Sequence, residues 1–259
     1  MRALNMNITH NQTVRGLQII NHILLLVGIM FVFYTQQYNY LLISLLTYWV
    51  TGVFGINIGM HRLLSHRSFK TSLFWEAVVS FIAVLTTVGS PLAWVAIHRQ
   101  HHRICERPGD PHSPYLLGNF RAWFGFWDYI KLDLKLVRDM RKDKLQKFLH
   151  KHYLTIILSY CLILALINPW LIVFIYCIPA CLCLHSTSAI IVIAHRHGYK
   201  TYDLKYDESR NSWIANLITL GEGWHNNHHA KPYAWSNWEK WYEWDIPAMI
   251  IWCIKHDKN

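Results

Sequence analysis

The chain has 259 residues, of which 53% are hydrophobic and only 15% charged, yet its formal net charge is +10. Soluble domains usually carry about a quarter charged residues, and this length allows one or two domains with a full core. The composition excludes a disordered chain, a disulfide-stabilised mini-protein and a fibrous repeat. Two classes remain: a nucleic-acid-binding protein with a large core, or an integral membrane protein with basic segments outside the bilayer.

Long uncharged stretches favour the membrane class. Residues 16–60, 71–98 and 152–195 contain no Lys or Arg, and Glu76 is their only acidic residue. A helix that crosses the hydrocarbon core needs about 20 apolar residues. We therefore predict four membrane spans at about residues 17–35, 38–60, 150–168 and 169–194, the last two separated by a tight turn at Asn168 and Pro169, because proline cannot continue a helix.

The basic residues are distributed unevenly along the chain. Two lie in the N-terminal arm, fifteen in residues 61–151 and eight in residues 196–259, whereas the short connections between spans have none. Basic residues near spans stay on the cytoplasmic side. This predicts a multi-pass protein with both termini and both long segments in the cytoplasm, in the inner membrane of a bacterial cell or the endoplasmic reticulum of a eukaryotic one. The basic segments then face anionic lipids or an anionic substrate, and we expect no nucleic-acid partner.

Histidines are numerous and clustered. Three clusters follow the patterns H-x4-H, H-x2-H-H and H-x2-H-H, and they consist of His61 and His66, of His98, His101 and His102, and of His225, His228 and His229. The i, i+3, i+4 spacing puts three imidazoles on one helix face. Neutral imidazoles are nitrogen ligands suited to iron, zinc or copper. Eight histidines exceed what one ion can use, so we predict two ions with positions left for a small ligand such as dioxygen.

The clusters also constrain residues 71–97, which are apolar enough to cross the bilayer. The first and second clusters must meet on the same side of the membrane to share a site. We therefore predict that this segment is re-entrant or interfacial, with Gly89, Ser90 and Pro91 at its bend. Residues 61–150 and 195–259 would then form one cytoplasmic cap, within a single domain that comprises the whole chain.

The three histidine clusters and their flanking residues resemble those of the membrane fatty acid desaturases, and in particular the Δ9 acyl-CoA and acyl-lipid branch. The matching segments are GMHRLLSHRSF at residues 59–69, PGDPHSP at 108–114 and GEGWHNNHHA at 221–230, and the resemblance extends from about residue 53 to 244. It implies an all-α membrane protein with four transmembrane helices and a cytoplasmic helical cap that holds a diiron centre.

The resemblance also implies roles for further residues. A ninth ligand is His195, rather than His197, in the stretch AHRHGY, and the position four residues earlier, often Asn in the family, is Ile191 here. Another group or water would then fill that place. Neighbouring residues are expected to orient the ligands or contact the acyl chain: Asp110, His112 and Glu222 beside the imidazoles, Trp94 and Thr187 at the acyl bend (or in ordinary membrane packing), and Trp49 at the closed end of the tunnel.

For the reaction, the resemblance implies that dioxygen and two external electrons introduce a cis double bond, at Δ9, into a saturated acyl chain carried by CoA or a membrane lipid. No flavin, nucleotide or haem motif occurs in the sequence, so a ferredoxin or a separate cytochrome b5 is the expected donor. Two alternatives remain: a diiron hydroxylase or monooxygenase of acyl chains or alkanes, and a non-enzymatic metal transporter or sensor.

Two further segments carry expectations. Trp235, Trp238, Trp241 and Trp244 recur every three residues, which predicts a helix at the membrane interface, where tryptophan is enriched. The basic run at residues 131–151 would contact lipid headgroups, CoA phosphates or the bilayer surface.

Overall fold

The computed structural model describes residues 2–125 and 132–256, with side chains from residue 10 onward; the first residue of the basic run, Lys131, lies outside them. The described ranges are helical, apart from turns, loops and two isolated β-bridges. The helices, in chain order, are α1 (Arg2–Thr35), α2 (Asn39–Val50) continuing as a π-helix (Thr51–Ser65), α3 (Leu73–Leu85), α4 (Pro91–Ile104), α5 (Pro114–Leu117), α6 (Asn119–Trp123), a 3-10 turn (Leu134–Val137), α7 (Lys144–Lys151), α8 (Tyr153–Ile167), a second π-helix (Ile172–Cys177) continuing as α9 (Ile178–Val192), α10 (Trp213–Thr219), α11 (His225–Ala230) and α12 (Ile246–Ile254).

Three helical stretches are long and apolar enough to cross a membrane: His10–Thr35, Asn39–Ser65 and Ile172–Val192. The segment expected to be the third of four spans is shorter. Helix α8 has 15 residues, about 22 Å of helix against a hydrocarbon core of about 30 Å. It follows α7 at a bend of 69°, and the bent pair would make a fourth crossing only if it counts as one span.

The apolar segment at residues 71–97 is divided between α3 and α4, neither of which is long enough to span a bilayer. The Ser90 side chain accepts a hydrogen bond from the Ala93 amide and so caps α4, while Pro91 occupies the first turn, where a missing N–H costs little. Helix α3 packs against the first π-helix at Gly55, where an added Cβ would lie 3.0 Å from the Ala83 nitrogen. After this antiparallel return, α4 runs beside the π-helix, with the Trp94 ring centroid 6.2 Å from that of His61 and the Arg99 guanidinium donating to the Leu64 carbonyl at 2.7 Å.

An apolar cluster lies beneath the histidines and joins three of the helices that carry them. Ile56 and Met60 of the first π-helix pack with Trp94 and Val95 of α4 and with Cys183 of α9, all less than a tenth exposed. Burial of such side chains contributes about 1.5–3 kcal/mol each, so this cluster fixes the relative positions of the histidine-bearing helices.

The helix predicted around the recurring tryptophans does not form. Residues 231–245 are turns and loop, and Trp241 is 87% exposed. Carboxylates bind the backbone amides that a helix would have used: Glu243 Oε2 accepts from the amides of Glu239 and Lys240, each at 2.9 Å. Side-chain acceptors of this kind compete with helical hydrogen bonds, which the three-residue tryptophan spacing does not reveal.

Candidate metal centre

The first histidine cluster lies on the π-helix Thr51–Ser65, whose amide of His66 donates to the carbonyl of His61 at 3.2 Å. In an α-helix, residues five apart are separated by about 140° around the axis. The i to i+5 hydrogen bonds of a π-helix instead bring such residues close to the same face. The H-x4-H pattern therefore presents both imidazoles to one site because of this unusual winding.

The second and third clusters lie on α4 and α11, and His195 lies three residues beyond the end of α9. The nine histidines form two groups, within each of which the potential ligand nitrogens all lie within 4.8 Å of one another. We call them group A and group B. Group A consists of His61, His66, His98, His102 and His228, and group B of His101, His195, His225 and His229.

The division follows helix geometry. On α4 the i, i+4 pair His98 and His102 belongs to group A while His101 points to group B; on α11 the i, i+4 pair His225 and His229 belongs to group B while His228 points to group A. The second and third clusters therefore each contribute to both groups. Two adjacent sites result, joined through two short helices.

The Nε2 atoms converge within each group. The distance is 2.7 Å between His66 and His98 and 2.9 Å between His61 and His228, and it is 3.1 Å between His195 and His225. Two nitrogens bound at right angles to one ion, at about 2.1 Å each, lie about 3 Å apart. His229 Nε2 is buried without a hydrogen-bond partner, so the donor set fits a metal ion in each group.

Carboxylates orient four of the nine imidazoles. Each accepts from Nδ1 and so leaves Nε2 directed inward: Glu222 on His61 at 2.8 Å, Asp110 on His101 at 2.9 Å, Glu106 on His195 at 2.9 Å and Asp207 on His229 at 2.6 Å. A carboxylate in this position fixes the tautomer and raises the basicity of a metal-binding histidine.

The protonation states also suit metal binding. Burial, followed by repulsion from neighbouring imidazoles, holds the pKa well below the ordinary histidine value at His98, His102, His225 and His228. Burial lowers the pKa of His229 to about 4, against the opposing effect of Asp207. These imidazoles are neutral near pH 7, and a neutral imidazole has the lone pair that a metal requires.

Glu222 also belongs to a buried ion-pair network. Arg62, 1% exposed, donates to Glu222 Oε1 from Nε at 2.9 Å and to Asp245 Oδ2 from Nη1 at 2.9 Å. The same guanidinium donates to the carbonyls of Gly221 and Trp235. This network fastens the loop before α11 to the first π-helix, and so holds the first and third histidine clusters together.

With the geometry established, comparison with known proteins identifies the family. A profile described as "Fatty acid desaturase" matches residues 38–249. The chain belongs to the fatty acid desaturase family. It is 31% identical over 239 residues to an sn-1 stearoyl-lipid 9-desaturase of Anabaena variabilis, covering 87% of this chain and 85% of that protein.

Two other relatives are informative. An sn-2 palmitoyl-lipid 9-desaturase of Nostoc sp. (strain 36) is 34% identical, covering 79% of this chain and 74% of its own. An acyl-CoA 5-desaturase of Anemone leveillei is 30% identical, covering 84% and 70%. The desaturase is accordingly an oxidoreductase that acts on fatty acyl chains, and its family is membrane-bound and known to use a diiron site.

Two cavities adjoin the histidines of this desaturase. A small one, of about 50 Å³, is lined by members of both groups, including His61, His98 and His225, and by Ile56 and Thr219. A larger, mostly apolar one, of about 410 Å³, extends from it along α1. Both are lined by the same four residues, Trp94, His112, Thr187 and Ile191, and we call this shared boundary the constriction.

Of the three residues expected to contact substrate, two line the cavities and one does not. Trp94 and Thr187 line the constriction, and so does Ile191, which is 6% exposed. Trp49 lines neither cavity: it is 37% exposed on α2 and has Phe54 as a ring neighbour at 6.2 Å. The expectation that Trp49 closes the tunnel therefore stays a prediction, since Trp49 is not among the residues that line these two cavities.

Among the residues expected beside the ligands, Asp110 and Glu222 hold imidazoles, and His112 lies with its ring centroid 5.3 Å from that of His101. Two carboxylates were missed by the sequence analysis: Glu106, which binds His195, and Asp207, which binds His229. The sequence does contain a signal for Glu106, because this residue lies four positions after His102, just beyond the end of α4. Asp207 lies in a loop 22 residues before its partner, and no spacing connects the two.

Proposed function

We propose that this desaturase binds two iron ions, one in group A and one in group B, and introduces a cis Δ9 double bond into a saturated acyl chain. The observation that carries the proposal is that the large apolar cavity and the histidine-lined one share a boundary of four residues, the constriction. An acyl chain that lies along both cavities would bring some of its carbons beside the two groups.

The bound irons would supply the activation of dioxygen that removal of hydrogen from an unactivated methylene requires, which is chemistry of the cofactor rather than of side chains. Overall, the acyl chain loses two hydrogens, dioxygen accepts these together with two electrons and two protons, and two waters form. The electrons would come from a separate ferredoxin or cytochrome b5, which would dock on the cytoplasmic side.

The side chains would position and protect the reacting carbons. Trp94 and Thr187 narrow the passage, so the chain can adopt few conformations where it meets the histidines, and such orientation contributes much of an enzyme's rate. The apolar lining would exclude water from the activated centre. Glu106, Asp110, Asp207 and Glu222 would hold the ligand imidazoles in their binding tautomers.

The proposed topology has four crossings. Helix α1, α2 with its π-helical continuation, the bent pair of α7 and α8 counted as one span, and the second π-helix with α9 would cross the bilayer, with both termini and the histidines in the cytoplasm. The absence of basic residues from the connections near Gln36 and Asn168 supports this arrangement. Helix α3 and the start of α4 would lie re-entrant or interfacial on the cytoplasmic side.

Expression in a host that cannot make unsaturated fatty acids tests the proposed function. We expect new monounsaturated lipids with the double bond at carbon 9, located by mass spectrometry of derivatised acyl chains. Hydroxylated chains would instead indicate an oxygen-inserting enzyme. Saturated lipids alone, from a protein that is folded and iron-loaded, would contradict the proposal.

A further inference from the structure

The large cavity is a cleft along one face of the first membrane helix. Its α1 lining recurs at helical spacing from His10 to Leu26, a rise of about 24 Å. The opposite wall consists of α9 residues, such as Leu184 and Ser188, and of Phe124 at the end of α6. The part of this lining within the first predicted span, from Gln18 to Leu26, rises about 12 Å, so the cleft enters the hydrocarbon core, which is about 30 Å thick, from the side of the histidines.

One edge of this cleft is open in the plane of the membrane. Ile19, Ile23 and Leu26 line the cavity and are nevertheless 62%, 56% and 61% exposed. In a membrane, those exposed surfaces contact lipid chains. An acyl chain already in the bilayer can therefore move sideways into the cleft without passing through water, which would cost about 0.8 kcal/mol for each exposed CH₂ group.

The charges near the cleft favour a lipid carrier over CoA. Arg15 is the only Lys or Arg among the described residues that line the large cavity, and its guanidinium donates to the Gly125 carbonyl at 3.3 Å. CoA carries several phosphates, which proteins usually bind with clustered cations.

A series of hydrogen-bonded side chains joins the helices beside the cleft. Trp123 Nε1 can only donate, so it donates to His185 Nδ1 at 3.0 Å. A neutral His185 then donates from Nε2 to His22 Nε2 at 3.1 Å, and His22 donates from Nδ1 to the Gln18 carbonyl at 2.7 Å. When both imidazoles are neutral, every side-chain nitrogen in this series of hydrogen bonds has a partner, and the series joins α1, α9 and α6 beside the cavity.

The cleft is closed toward the far side of the membrane. At Gly28, an added Cβ would lie 2.7 Å from Val173 Cγ1, and such small residues let membrane helices approach closely. A chain that enters the cleft can therefore continue only toward the constriction and the histidines. The closed end and the open edge together define a direction of travel.

We propose that the α1–α9 cleft is a lateral portal for the acyl chain of a membrane glycerolipid, which is the carrier that this enzyme uses in place of a soluble thioester. This inference rests on the proposed function, because it requires that the chain is desaturated at the histidines. It adds the route, the wall residues and the class of carrier.

Two substrates given to the purified, iron-loaded protein in vesicles test the carrier. One set of vesicles, of phosphatidylglycerol and phosphatidylethanolamine, carries isotope-labelled stearoyl chains on the lipids; the other has unlabelled lipids and receives labelled stearoyl-CoA. Both contain a reduced ferredoxin as donor. Because no acyltransferase is present, the label stays on its carrier. We expect labelled double bonds in the phospholipid at a rate at least ten times that of the thioester.

A variant at the open edge tests the portal. Ile23→Trp should lower the rate with labelled phospholipid at least tenfold by filling the cleft. Ile20→Trp is the matched control, because Ile20 is 53% exposed on the same helix and does not line the cavity, and it should keep the wild-type rate. A phospholipid with a photoreactive group in its acyl chain should label α1 and α9 at the cleft in the wild type and less in Ile23→Trp, whether or not electrons are supplied.

Desaturation of the thioester alone would overturn the inference while leaving the proposed function intact. Equal rates for Ile23→Trp and Ile20→Trp with phospholipid would overturn the portal. Absence of a double bond from both carriers would overturn the proposed function itself, and with it the substrate role of the cleft, even if photolabelling of the cleft persisted.

Discussion

The two histidine groups differ in what surrounds them. Among the residues that the structure describes, a carboxylate holds three of the four imidazoles of group B, namely His101, His195 and His229, and in group A it holds only His61. Group A gains its order instead from the π-helix and from packing over a hydrophobic cluster. Two sites of similar ligand chemistry are thus made rigid in different ways, one by hydrogen bonds to acids and one by backbone winding.

The two groups also differ in the charged side chains that surround them. Glu222, behind group A, is paired with the buried Arg62. Within the described residues, the ion pairs of Asp110, Glu106 and Asp207 are with histidine alone. A cation in group B would therefore lie near three carboxylates that no Lys or Arg neutralises, and we expect that ion to be held more tightly than the one in group A.

The largest effect should come from the ligands themselves, and it should not distinguish the groups. Replacing His61 or His98 in group A, or His225 in group B, by Ala should abolish double-bond formation, because a single ion cannot complete the reaction. Gas chromatography of the lipids from an expressing host measures this. His197→Ala, an exposed neighbour of His195, is the control and should keep full product. Normal product from any of the three ligand variants would refute the site.

Replacing the supporting carboxylates should separate the groups. Glu222→Gln should destabilise the protein by about 1.5–3 kcal/mol, since it removes one of the two carboxylates that pair with the buried Arg62. Asp207→Asn should cost little stability and lower metal affinity or activity by about 10–100-fold, the usual effect of losing such a partner. Thermal unfolding in detergent and iron titration measure the two quantities.

The control for these variants is Asp203→Asn, an exposed acid in the same loop as Asp207, which should change neither quantity. If Glu222→Gln and Asp207→Asn were equally stable, the contrast between the two supports would not hold.

The sequence predicts some of these features and not others. The clustering of the box histidines could be predicted because metal chemistry follows from residue type at fixed spacing, and the uncharged runs predicted apolar helices. Glu106 and Asp207 were not predicted, because the sequence does not distinguish a carboxylate that binds an imidazole in the folded protein from a solvated surface residue. The π-winding that unites His61 and His66 was missed for a related reason, since hydrophobic periodicity does not encode it. The tryptophans after the third box suggested a helix, but buried carboxylates such as Glu243 determine that segment.

Metal removal should show the charge difference directly. With a chelator, the iron-loaded protein should lose its metal in two phases, the faster from group A and the slower from group B. Iron remaining after gel filtration, followed over time, gives both phases. In Asp207→Asn the slow phase should quicken while the fast phase is unchanged. Loss in one phase, or quickening of the fast phase only, would show that the carboxylates do not distinguish the sites.

The smallest effect concerns the cavity that both groups share. Trp49→Ala should leave the chain-length profile of the products unchanged, because the Trp49 side chain lines neither cavity. Mass spectrometry of total acyl chains measures this. A shift toward longer products would return Trp49 to the end of the tunnel and require the small cavity to extend along α2.

The central claim is that nine histidines form two iron sites in this chain. The most direct test is the iron content of the purified protein, determined by mass spectrometry against protein concentration, for the wild type and for His66→Ala and His195→Ala. The account predicts two irons per chain in the wild type and about one in each variant, with the lost ion belonging to a different group in the two cases. A wild-type content of one iron or fewer after loading, or two irons in both variants, would contradict it.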